Sequence, residues 1–315
     1  MNIPKLNIAG LTAALPIIQG GMAVRISTSG LAAAVANEQG IGVIAGTGMT
    51  PDELKKEIRL ARRLSDGIIG VNVLFAVSNF AELVKAAIAE KIDLVISGAG
   101  FSRDMFGWGR ESQTPIVPVV STDRLAVLAE KMGAAAVVVE GKEAGGHLGT
   151  DQPMVDILPA VRRAVSIPVI AAGGIMDGYE IARAIRLGAD GVQMGTRFAA
   201  SLESNASDSF KQQYVAAGPG DVTLIHSPVG LPGQALRNGF VEMIEKAGFK
   251  DLTPCDQCLK RCNHVFCIMN ALINACRGGQ AEKALVFCGD KVHRVSEILP
   301  VREIISRLKQ ELALA

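Results

Sequence analysis

The chain has 315 residues, 49% of them apolar and 20% charged, with a formal net charge of +1. That is enough apolar material for one large core or two modest ones, and the near-neutral balance offers no polybasic face to nucleic acid or to an anionic membrane surface. Aromatic residues are scarce at 4% while glycine is abundant at 34, which suits an α/β enzyme with many close turns better than a platform for stacking single-stranded bases.

The first residues, Met1-Asn2-Ile3-Pro4-Lys5-Leu6, lack the charged start and apolar centre of a secretory signal. No apolar run approaches the ~20 residues of a bilayer span. The expectation is a cytoplasmic protein with a small-molecule substrate and neither a nucleic-acid nor a membrane partner. A homodimer is compatible with the sequence, which does not fix it.

Short β-branched runs bounded by Gly, Pro or Asn then alternate with amphipathic segments of helical length. The expected strands are 16–19, 41–45, 68–74, 94–97, 116–120, 135–140, 168–172 and 191–195, with helices over 51–65, 79–90, 123–132 and 178–187 among them. Strands joined by helices run parallel. Eight such units closing on themselves make a (β/α)8 TIM barrel, with an open doubly wound sheet as the alternative.

In a barrel the loops after the strands gather on one face. Here they carry Gln19-Gly20-Gly21-Met22, Gly46-Thr47-Gly48, Asn72, Ser97-Gly98-Ala99-Gly100 and Ser121-Thr122, and Glu140 leads into Glu143-Ala144-Gly145-Gly146-His147. Recurrent amide, hydroxyl and imidazole groups among the glycines favour a ligand over plain turns. Ala171-Ala172-Gly173-Gly174-Ile175 and Gly195-Thr196-Arg197-Phe198 close two strands one helix apart. Glycine lets several backbone N–H groups converge on one anion, so the pair reads as a phosphate cradle; two ordinary strand-to-helix turns are the bland alternative.

After Phe198 the pattern changes. The expected division is a barrel of residues 1–200 and 298–315, whose last helix follows Pro300, with residues 201–297 as a helical, cysteine-bearing insertion. Cys255, Cys258, Cys262 and Cys267 crowd into 13 residues of that insertion. Clustered thiols in a cytoplasmic chain point to zinc or an iron–sulfur cluster, to a redox-active dithiol, or to buried thiols acting as small apolar groups.

Gln-Gly-Gly-Met at 19–22, Gly70-Val71-Asn72, Glu143–His147, Ala171–Ile175 and Gly195–Phe198 together resemble the nitronate monooxygenase family, over about residues 15–240. That family shares a barrel, FMN and nearly the same motifs with the flavin-dependent enoyl-acyl-carrier-protein reductase II. The resemblance implies an FMN phosphate on Gly173, Gly174, Gly195 and Thr196, with Ala172 beside them. It implies Gly21 and Met22 against the isoalloxazine ring, Asn72 at its polar edge and Gln193 in a similar role. His147 is the implied catalytic group: an imidazole titrating near neutrality would take a proton from the carbon beside a nitro group or hydrogen-bond a nitronate. The implied activity is oxidation of alkyl nitronates to carbonyl compounds and nitrite with dioxygen. The alternatives are NAD(P)H-dependent enoyl reduction and a non-catalytic flavin-binding barrel. Neither enzyme type needs the cysteine cluster.

Overall fold

The β-branched runs of the sequence pair side by side as one closed barrel. The structure, a computed structural model, describes residues 4–251 and 253–315. It begins with a hairpin, β1 (Leu6–Ile8) and β2 (Leu11–Ala13), turned by Ala9 and Gly10, both at positive φ. The barrel strands follow as β3 (Ile17–Gln19), β4 (Gly42–Ala45), β5 (Ile69–Leu74), β6 (Leu94–Gly98), β7 (Ile116–Val120) and β8 (Val137–Glu140). After a two-residue strand, β9 (Gly146–His147), come the last two barrel strands, β10 (Val169–Ala172) and β11 (Gly191–Met194).

The eight barrel strands are all parallel, in the order β3-β11-β10-β8-β7-β6-β5-β4, and a parallel bridge between Ile18 and Ile41 closes the ring. Side chains alternate across each strand. Ile18, Val43, Ile96, Val117, Val138 and Ile170 fill the interior, and Leu6 and Ile8 of the hairpin join them there. The barrel is thus a packed core, as closed eight-stranded barrels are.

The helices are α1 (Ser29–Asn37), α2 (Pro51–Leu64), α3 (Phe80–Ala89), α4 (Arg103–Ser112), α5 (Asp123–Met132), α6 (Met154–Ala164), α7 (Gly178–Arg186) and the short α8 (Thr196–Ala199). Thr50 and Glu53 form a reciprocal capping box at the start of α2, a feature worth about 1 kcal/mol. Asp177 caps α7 by accepting the Glu180 N–H at 2.8 Å. The barrel's final helix, α12 (Val301–Leu314), packs between α7 and α1. Gly178 lies so close to it that a Cβ there would stand 2.3 Å from the Leu312 nitrogen.

The segment between α8 and α12 is more than helical. It holds α9 (Asp208–Ala216), β12 (Val222–His226), β13 (Pro232–Leu236), α10 (Gly239–Glu245), α11 (Ile268–Ile273) and three 3₁₀ turns. β12 and β13 form a hairpin, and β13 also pairs antiparallel with β9. The residues around Leu259 bridge back to Val77, beyond the end of β5. This segment therefore lies across the C-terminal mouth of the barrel. No helix among the described residues is long and apolar enough to cross a membrane.

Candidate active site

The C-terminal ends of the strands and the covering segment enclose one large cleft with about 1470 Å³ of empty space, its open mouth included. Its floor is set by strand alternation. Below it the inward side chains are apolar; at the top the inward row becomes Asn72, Glu140 and Gln193, all of which line the cleft. Register places Glu140, Ala172 and Gln193 side by side on β8, β10 and β11.

Asn72 donates from Nδ2 to the Gly21 carbonyl at 3.0 Å, while its Oδ1 has no partner. The Gln193 Oε1 is likewise buried and unpartnered. Orphaned buried amide oxygens are costly unless a ligand supplies donors. Gly21 must be glycine for a steric reason: a Cβ there would lie 2.4 Å from the Asn72 Cβ. Met22 follows it along the wall, its backbone N–H donating to Ser27 Oγ at 2.9 Å.

The phosphate-cradle segments meet at one end of the cleft. Gly173 and Gly174 have φ of +104° and +66°, conformations that turn successive N–H groups toward a common point and that side chains resist. Gly195 and Thr196 stand beside them. The Thr196 Oγ1 accepts the Gly289 N–H at 2.9 Å, so its own proton remains free to donate. Polar acceptors on the floor and converging donors at the end fit a flavin mononucleotide: a ring system with N–H groups, and a phosphate.

His147 sits on β9 rather than in an irregular loop, and β13 fixes its backbone. Its Nε2 is 2.7 Å from Ser227 Oγ, and its ring packs edge-on against Phe287 with centroids 5.1 Å apart. Ser227 Oγ also accepts the Val229 N–H at 3.3 Å, an arrangement that suits a serine proton on Nε2 and the imidazole N–H on Nδ1. The expectation of an imidazole titrating near neutrality is corrected. Burial lowers its pKa to about 4, so the ring is neutral at physiological pH: a hydrogen-bond donor and a feeble base.

Glu140 shows the converse. Burial, with nothing offsetting it, raises its carboxyl to about 8, so it keeps its proton.

The metal expectation at Cys255, Cys258, Cys262 and Cys267 is also corrected. Among the described residues no group of three or more His, Cys, Asp or Glu side chains is placed to hold a metal ion. Cys255 is exposed, whereas Cys258 is half-buried with its thiol pushed up to about 11 by burial and by its cysteine neighbours, Cys267 first among them. The stretch instead anchors the cover: Ser78 N–H donates to the Cys258 carbonyl at 3.0 Å, and Lys260 Nζ sits 3.7 Å over the Phe75 ring.

The expected flavin residues Gly21, Met22, Asn72, Ala172, Gly173, Gly174, Gln193, Gly195 and Thr196 line this cleft together with His147, whereas Ser121, Thr122, Arg197 and Phe198 do not; groups to which the sequence reading gave no role line it too. Glu140 was visible as a charge ending an apolar run. Lys291 and Phe287 come from the far end of the chain, and Ser227, which meets the His147 ring, comes from a Pro/Gly-rich stretch, where no spacing announced them.

The family model for nitronate monooxygenase matches residues 5–101 and 78–311. A (3aS,4S,5R,7aS)-5-hydroxy-7a-methyl-1-oxo-octahydro-1H-indene-4-carboxyl-CoA dehydrogenase of Rhodococcus jostii is 34% identical over 74% of this chain, which spans 65% of that relative's length. Among solved structures, FabK from Thermotoga maritima superposes with a TM-score of 0.84 at 36% identity, covering 95% of this chain and 93% of that one. A nitroalkane oxidase from Streptomyces ansochromogenes gives 0.81 at 27% identity, over 96% and 97%.

Proposed function

This chain belongs to the nitronate monooxygenase family, and we propose that it is an FMN-dependent oxidoreductase that reduces an α,β-unsaturated acyl thioester with NAD(P)H. The observation that carries this reading is the geometry of one cleft, in which His147, fixed by Ser227 and Phe287, faces a floor where Glu140 stands in register with Ala172 and Gln193; burial favours the neutral form of both titratable groups. Residues 1–200 with 298–315 would hold most of the cofactor, and residues 201–297 would shape the substrate's surroundings and close the phosphate end.

Bound FMN would supply the hydride-transfer chemistry. Asn72 and Gln193 would meet the polar edge of its ring, Gly21 and Met22 its face, and Gly173, Gly174, Gly195 and Thr196 its phosphate. The overall reaction takes an enoyl thioester, NAD(P)H and a proton to the saturated thioester and NAD(P)⁺. As electrons reach the β-carbon, negative charge gathers on the thioester oxygen. A neutral His147, held by Ser227 and Phe287, can meet that oxygen with one N–H without first losing a proton. The reaction consumes a proton, and Glu140 keeps one in the cleft near neutral pH. Val229, Leu259, Ile268 and Leu272 of the cover present an apolar wall, which excludes water and suits an aliphatic chain. The carboxyl-CoA substrate in the name of the Rhodococcus relative adds support for a thioester.

The second reading is oxidation of alkyl nitronates to carbonyl compounds and nitrite with dioxygen, favoured by the family match and by the similarity to a nitroalkane oxidase. A nitronate is already an anion, so a feebly basic His147 could still hydrogen-bond it, but Glu140 would have no task. The two readings separate in one anaerobic cuvette. The first expects flavin absorbance to bleach with NADPH and return with crotonyl-CoA; bleaching by propyl-2-nitronate, with nitrite formed once air is admitted, would install the second. Bound flavin that responds to neither would leave a binding barrel without turnover.

A further inference from the structure

We propose that Lys291 is the side-chain cation of the phosphate cradle, supplied by the C-terminal segment to distinguish a phosphorylated flavin from its dephosphorylated form. The proposal rests on the FMN reading above and assigns the cradle a residue that neither glycine segment contains.

Among the described residues that line the cleft, Lys291 alone carries a cationic side chain, while the acidic Glu143 lies against Gly174. A phosphate dianion brought to the cradle needs a compensating charge. The Lys291 ammonium is already at the cradle, where Nζ donates to the Gly174 carbonyl at 2.8 Å and to Glu180 Oε1 at 2.6 Å. An ammonium has three N–H donors. Two are committed, and both partners lie on the Gly174–α7 side, which leaves the third for a ligand in the cleft.

The surroundings fix the lysine without absorbing it. Glu180 also accepts the Met176 N–H at 2.6 Å and an Arg294 guanidinium N–H at 2.9 Å, and Arg294 reaches Asp177 as well. Arg294 can therefore hold both Asp177, the cap of α7, and Glu180 in its first turn when phosphate competes for Lys291. Two residues earlier, the Gly289 N–H binds Thr196 Oγ1. The segment 289–291 thus places its lysine and orients the threonine hydroxyl toward the same end of the cleft. A cation held this way acts as a preorganised charge on phosphate, with strength that falls as salt rises.

The test is flavin binding rather than turnover. Flavin-free protein is titrated with FMN and with riboflavin by fluorescence quenching, in wild type, Lys291→Met and Lys291→Arg, at low and high salt. In wild type FMN should bind at least ~100-fold more tightly than riboflavin. Lys291→Met should shrink that ratio at least ~10-fold and flatten its salt dependence, with riboflavin affinity unchanged, and Lys291→Arg should restore most of it. An unchanged ratio in Lys291→Met, or equal losses for both flavins, overturns the role of Lys291 while leaving the FMN reading intact. Wild type that binds neither flavin overturns both.

Discussion

The floor and the cover of the cleft are built by different physics. The floor is the rim of a closed parallel ladder, where each strand end is held by two neighbours and the inward polar row of Asn72, Glu140 and Gln193 rests on a packed apolar interior. The cover is a hairpin, short helices and 3₁₀ turns, tied down by the two-residue strand β9, a bridge at Leu259 and side chains such as Lys260. A floor of paired strand ends suits a cofactor that stays, and a cover of hairpin, loops and short helices, packed on the barrel through buried Leu259, Ile268 and Leu272, suits shaping the way in for a substrate. Substitutions in the two regions should therefore separate cofactor retention from turnover.

The most damaging change to the floor should be Gly21→Ala. Its Cβ would overlap Asn72, so purified protein should lose its flavin and about 1–3 kcal/mol of stability; full flavin occupancy in the variant would remove Asn72 from the cofactor's edge. On the cover side of the comparison stands His147, held by β13, Ser227 and Phe287. His147→Ala should keep its flavin yet lose at least ~10²-fold in kcat, read by stopped-flow flavin reoxidation. Loss of flavin in step with activity would erase the distinction between the two regions.

A finer probe of the floor is Glu140. The carboxyl ionises above about 4.5 in the unfolded chain but only near 8 when folded, so the unfolded state holds fewer protons between those values. Stability falls as pH rises through that window, by at most about 1.4 kcal/mol per unit, and levels off above it. His147 slopes the other way, but only between 6.5 and 4. Urea unfolding of flavin-free protein from pH 6.5 to 8 therefore separates Glu140 from His147. Glu140→Gln should gain on wild type across that range; parallel curves would mean that the carboxyl is not held neutral.

The smallest effect belongs where the regions touch. Thr196→Ala removes the acceptor of the Gly289 N–H and should weaken FMN binding about 10-fold, seen as flavin lost on dialysis. Unchanged retention would show that the backbone of the cradle suffices.

These same regions differ in how far the sequence disclosed them. All eight barrel strands were legible, because β-branched runs between glycines and prolines are what a buried parallel strand demands. The helices α1, α4 and α6 were not. The first is nearly all apolar, Leu31-Ala32-Ala33-Ala34-Val35-Ala36; the second carries Gly107 and Gly109, and the third has Pro159 inside it. The opening hairpin turns on Ala9-Gly10, without the Asn or Asp that usually marks such a turn. Local motifs picked out the glycine segments, Asn72 and His147 that the fold gathers in one cleft, since glycines and a histidine in a fixed frame survive as strings. The partnership of His147 with Ser227, its lowered pKa and the arrival of Lys291 arise from contacts 80 or more residues apart in the chain. Cysteine spacing was a poor guide for the same reason: among the described residues, four thiols close in sequence are not gathered into a group that could hold a metal ion.

The antiparallel ladder between β9 and β13 has a mechanical consequence. His147 faces Gly233, Gly146 faces Gln234, the Leu148 N–H binds the Pro232 carbonyl and Gln234 Nε2 binds the Ala144 carbonyl. A hinge that lifts this hairpin to admit a large substrate must break those bonds or drag the histidine with it. The backbone position of His147 is thereby tied to the hairpin over the mouth rather than to the barrel strands alone.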